Sequence, residues 1–232
     1  MSDNARNKEL WDRLATTDPR HTKKVEFGRM FTSIDAQWQI MRVTEELGPV
    51  GRGWSYTVHH SVERLHEIMP GLVLALADVT IYWGSTNTDG LFHHQYGPVR
   101  GTSPLVEHDK SGKPRYDDDA PKKAMTDAMT KALSHLGVSA DVFLGLFDDN
   151  KYVARLERRF AANDAEQQGL PAQVETMLRV GRDCKTVPEL EAAWKNGAAA
   201  MKTWEKAHVD LVTLRFGEFK KKLQASPAQT AA

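Results

Sequence analysis

The segment Asp117–Val153 constrains the fold most, because it encodes a helix with both ends and one face marked locally. An aspartate cap precedes Pro121 at the start of the helix, and Gly137 stands where a chain leaves a helix through a left-handed residue. Between them Met125, Ala128, Met129, Ala132, Leu133 and Leu136 recur at helical spacing. A stripe of that width needs another layer to bury it. Lys122, Thr126, Thr130 and Lys131 lie away from its centre. Such a helix, buried on one side and lined with amines and hydroxyls on the other, suits contact with a phosphate chain.

The burying layer is legible upstream. Residues 4–15 read as a short helix, followed by a basic loop at Lys23-Lys24. A second helix, capped by Thr32 or Ser33, runs to Leu47 before the breaker loop Gly48–Gly53. From Trp54 the period drops to two: Trp54, Tyr56, Val58, His60 and Val62 alternate with smaller or polar residues. Leu72–Trp83 reads as a second strand, with Leu72, Leu74 and Leu76 on one face and cover on both. A turn signal at Thr88-Asp89-Gly90 introduces a third strand over 91–99. Pro104, Gly112 and Pro114 mark residues 102–116 as a surface loop. The fold class expected is α+β: an antiparallel sheet of three to four strands packed on a long helix (β-β-β-α), with an all-helical C-terminal appendage. That appendage carries helices over 172–184, from the capping box Thr186–Glu189 onward, and over 203–223.

At 41% hydrophobic and 27% charged residues, the chain supports a packed core. Lys+Arg and Asp+Glu both number 31, so nucleic-acid binding would have to rest on a local basic groove rather than on net charge. The single Cys184 excludes an intramolecular disulfide and a Cys-rich zinc site, and fits a reducing compartment. The N-terminus has no secretory h-region, and the longest apolar run, Gly71–Ala77, is too short for a bilayer, so a cytoplasmic protein is expected. His59-His60 and His93-His94 alternate across strands and read as sheet histidines rather than metal ligands. The clusters Asp117–Asp119 and Asp148-Asp149 admit a metal-dependent nuclease as an alternative, against a cap and a loop-forming knot. No Walker A or GxSxG motif occurs, and no cofactor or catalytic nucleophile is expected. Trp38, off its helix stripe, is open to base stacking or to packing.

Four stretches in order resemble the single-strand annealing proteins of the Rad-fifty-two superfamily, in their bacteriophage form. IDAQWQIMRVTEELGPVGRGW over 34–54 resembles the first core helix and the Gly-Trp that opens the sheet. Residues 72–83 and 91–99 resemble the central strands. KKAMTDAMTKALSHLG over 122–137 resembles the most recognisable helix, and DDNKYV over 148–153 the closing motif. Together they cover residues 25–155, about half the chain.

The resemblance implies an ATP-independent protein, not an enzyme, that binds single-stranded DNA in a basic groove and anneals complementary strands in recombination and repair. It further implies a homo-oligomeric ring or helical filament. A host single-strand-binding protein or a phage exonuclease is the expected protein partner, and the cytoplasm of a host cell the location. Lys131 falls at a DNA-contacting cation of the family, whereas Thr130 and Ser134 stand where relatives often carry further cations. The expected DNA-binding set is Lys122, Lys123, Thr126, Thr130, Lys131 and Lys151, with Arg52 and Arg100; the lysines would supply charge and the two threonines neutral hydrogen-bond donors. For each lysine the alternative is a solvated helix face. The expected division is an annealing core over 1–160, a linker over 161–170, a helical domain over 171–224 and a disordered tail over 225–232.

Overall fold

The computed structural model describes residues 8–27, 29–65, 69–86 and 90–225. Three expectations, the start of the first helix at residues 4–7, the turn at Thr88-Asp89 and the tail beyond Ala225, lie outside them. The contacts divide the chain into two units. One holds the chain up to Thr17 and His21–Asp148; the other holds Asp18–Arg20 and everything from Asp149.

The first unit contains helix α1 (Glu9–Leu14), strands β1 (Thr22–Phe27) and β2 (Arg29–Ile34), helix α2 (Ala36–Leu47), strands β3 (Trp54–Arg64), β4 (Val73–Thr86), β5 (Phe92–His108) and β6 (Pro114–Tyr116), and helices α3 (Ala120–Ser134) and α4 (Ala140–Phe143). β3-β4-β5-β6 form one antiparallel sheet, and β1-β2 a separate two-stranded one. The β3–β4 register runs without a shift from Trp54↔Trp83 to Arg64↔Val73.

Helix α3 lies on this sheet, and the fit is made by small residues. Ala124, Ala128 and Ala132 share the core with Ala75, Ala77, Val79 and Ile81 of β4. Gly101 of β5 lets the helix backbone come near: a Cβ there would stand 2.1 Å from the Ala124 carbonyl oxygen. Around this contact Leu14, Val43, Met129 and Leu133 fill the periphery, each burial stabilising by about 1.5–3 kcal/mol. The apolar stripe read from the sequence is the buried one. Gly137, at φ +100°, ends the helical segment, and a Cβ there would meet Trp11.

Several local expectations are corrected. The second strand begins at Val73 rather than Leu72; Ala75, Ala77, Val79 and Ile81 share the core with α3, and Leu74 and Leu76 fall on the other face. Leu76 is buried as well, so that second face is covered there. The surface loop at 102–116 is largely strand: β5 reaches His108, and β6 returns from a turn whose N–H groups at Ser111 and Lys113 donate to Asp109. Lys23-Lys24 belong to β1, because Lys24 pairs with Thr32. Thr32 and Ser33 are therefore strand residues, and Asp35 caps α2 by accepting from the Gln37 and Trp38 N–H groups. Asp119 occupies the N-cap of α3 without a side-chain cap bond; Asp117 instead accepts from the Asp119 N–H.

The second unit is built from α5 (Asn150–Gln167), α6 (Ala172–Asp183), α7 (Val187–Met201) and α8 (Lys206–Ala225). Val174, Leu178, Leu190, Leu211, Val212 and Phe216 form its core with Ala162. The expected linker over 161–170 is thus helical as far as Gln167, and it is helical because Ala162 has a core to enter. The boundary falls at Asp148/Asp149 rather than near residue 160. Thr186 does cap α7, accepting from the Glu189 N–H, while Glu189 reaches back to the Lys185 N–H. No helix among the described residues is long and apolar enough to cross a membrane.

Candidate nucleic-acid interface

Because one side of α3 is sealed against β4 and β5, its other side is fixed in space. Lys122, Lys123, Thr126 and Thr130 face a groove of about 430 Å³ whose opposite wall is Ile34, at the end of β2, and Ala36, at the start of α2. Four of the eight expected residues therefore do come together. Asp119 and Asp127 line the same groove, so its two lysines are balanced by two carboxylates.

The cations differ in how free they are. Lys122 makes no ion pair among the described residues. Lys123 Nζ donates to Asp117, which raises the lysine's pKa and holds that carboxyl below its usual range. Lys131 stands outside the groove lining, with its Nζ 2.8 Å from Asp127 Oδ2. That same carboxylate oxygen accepts the Thr102 N–H of β5 at 3.2 Å. Exposed pairs of this kind are weak, so each can exchange its partner for a phosphate at small cost.

Two expected donors are corrected. The hydroxyl of Thr126 donates to the Lys122 carbonyl at 3.0 Å, and that of Thr130 to the Asp127 carbonyl at 3.1 Å. Both hydroxyl hydrogens are thus engaged by the helix backbone and present lone pairs to the groove.

The remaining expected residues are elsewhere. Arg100 is bidentate on Asp78, with both bonds at 2.8 Å. Strand alternation puts this pair on the sheet face away from α3. Arg52 is exposed in the turn before β3. Lys151 opens α5 and belongs to the second unit. Trp38 is buried and stacked on His21, with centroids 5.7 Å apart, so it packs rather than offering a platform for bases.

One pairing had no signal in sequence spacing. Tyr96 Oη and His135 Nδ1 lie 2.8 Å apart with their rings stacked, at the C-terminal end of α3 and 39 residues apart in the chain. The wall made by Ile34 was likewise missed, since it exists only because β1 and β2 pair.

One carboxylate of each acidic cluster is engaged locally. Asp117 holds Lys123 and the Asp119 N–H, and Asp149 caps α5 through the Lys151 N–H. Among the described residues no three His, Cys, Asp or Glu side chains converge as a metal site would require. No known protein family matches the chain, and no relative is found among curated proteins.

Proposed function

We propose that this protein binds single-stranded DNA along α3 and anneals complementary strands in recombination or repair, without ATP and without covalent catalysis. The observation that carries this reading is the free side of α3: a helix held rigidly by its buried face, with Lys122 and Lys123 on an open groove and Lys131 beside it. Lysines along an extended strand neutralise phosphates and release counterions. Holding two strands extended also lowers the entropy that pairing must overcome. A homo-oligomer, ring or filament, would extend the groove from copy to copy. The helical second unit is the surface for a host single-strand-binding protein or a phage exonuclease, and the host cytoplasm the place of action.

The test is the double variant Lys122→Ala/Lys131→Ala, with affinity for a labelled single-stranded oligonucleotide measured across a salt series. Binding should weaken, and the salt slope should fall by about one per lysine. Unchanged affinity at moderate salt, with the fold intact, rejects the site. A time course with naked complementary oligonucleotides separates annealing from mere coating of the strand.

A further inference from the structure

The two outer edges of the four-stranded sheet are treated differently. On β5 the outward N–H of Thr102 is taken by Asp127, two residues on Pro104 has no N–H to offer, and the Leu105 carbonyl accepts from Asp117. Beyond that β6 covers Val106–His108. On β3 nothing comparable occurs among the described residues. Its eleven residues contain no proline and no register shift.

The direction of the open groups follows by alternation. Thr102 faces outward from β5, so its partner Leu76 bonds toward β3, to Ser61. Even-numbered residues of β3 then point their backbone groups away from the sheet. The Trp54 carbonyl agrees, since it accepts from Gly51 outside the sheet. This leaves Tyr56, Val58, His60 and Val62 with outward N–H and C=O groups that no backbone group among the described residues meets.

We propose that this edge pairs with the same edge of a second copy, antiparallel and about a two-fold axis at His59. That register places Tyr56 opposite Val62 and Val58 opposite His60, and it engages those four residues without needing Trp54. It is also self-complementary in side chains. Val62 is 57% exposed on the α3 side of the sheet, and Tyr56 of the second copy would cover it. Length favours a second β3 as occupant: β1 and β2 have six residues each, against eleven in β3. A long edge with neither proline nor bulge is what natural sheets avoid unless it is paired. A two-fold contact closes on itself, so a ring or filament would need another surface besides this one. The pairing does not depend on the DNA reading.

Cysteine cross-linking in a Cys184→Ser background tests the register. Residue 59 meets its own copy in a non-hydrogen-bonded pair, where Cα atoms lie about 4.5 Å apart, within disulfide range. Residue 57 meets residue 61 instead. Under mild oxidation His59→Cys should give disulfide-linked dimers on a non-reducing gel, while Thr57→Cys stays monomeric. Thr57→Cys and Ser61→Cys proteins mixed together should cross-link. Both side chains at 57 and 59 are exposed, so the fold tolerates the changes. No dimer from His59→Cys, or equal dimer from Thr57→Cys alone, overturns the proposal.

Discussion

The Asp127 carboxylate accepts the N–H of Thr102 across 25 residues of chain, and the same oxygen accepts from Lys131 one helical turn further on. One side chain therefore closes a sheet edge against a helix and holds a lysine that stands beside the groove. The sheet–helix contact and the proposed binding surface meet at a single oxygen, and substitution can separate them.

Asp127→Asn keeps an acceptor for Thr102 and removes the charge that holds Lys131. Single-stranded oligonucleotide should bind about three- to tenfold more tightly at low salt, on the scale of ~1 kcal/mol for a screened charge pair. Asp127→Ala should instead lose about 1 kcal/mol of stability as the acceptor goes. Anisotropy titration and a urea midpoint read the two effects separately.

Two glycines should respond oppositely to alanine. At Gly101 the new methyl would press on the backbone of α3, with the Ala128 nitrogen at 2.3 Å as well as the Ala124 oxygen. The helix must shift, at a cost of roughly 1–3 kcal/mol. Gly217 sits within α8 with nothing near its Cβ position. There alanine should stabilise by about 0.5–1 kcal/mol through helix propensity. Chemical denaturation of both variants gives the sign of each.

Gln39 is buried in α2, and neither its amide nitrogen nor its oxygen has a partner. Replacing an unsatisfied polar group by an apolar one of similar volume removes a desolvation penalty. Gln39→Met should raise the denaturation midpoint by the equivalent of about 1 kcal/mol. A lower midpoint would mean that the amide is satisfied in solution by water.

Hydrogen bonding from Arg100 holds the Asp78 carboxyl below its usual range. A carboxyl depressed in the folded state contributes stability that is complete above its unfolded pKa, near 3.9, and is lost as pH falls through the lower folded value. Arg100→Ala should return Asp78 toward an ordinary carboxylate and remove that part of the acid dependence. Side-chain carbon NMR across pH 2 to 5 follows it directly.

The sequence disclosed what local pattern determines. The ends and buried stripe of α3 were legible because Pro121, Gly137 and six apolar residues lie within one stretch, and the strands after Trp54 because their period is two. The full length of β5 was hidden by Pro98 and Pro104, which normally end a strand but stand here in one whose outer edge needs few donors. The hairpin was hidden because TKKVEF has no strand pattern of its own and becomes a strand by pairing with β2. The freedom of each cation was not legible. It depends on contacts such as Arg100 with Asp78 and Lys131 with Asp127, of which the first spans 22 residues and was set by register.

Arg20 is bonded to Asp18 beside it and to Asp164, 144 residues later. Through this cluster a three-residue piece near the start of the chain belongs to the helical second unit. During synthesis Arg20 must therefore wait, paired only with Asp18, until α5 has been made. In evolution the same bond means that the helices after Asp149 are not a free cassette: a replacement unit would have to bring its own acceptor for an arginine encoded 144 residues before Asp164.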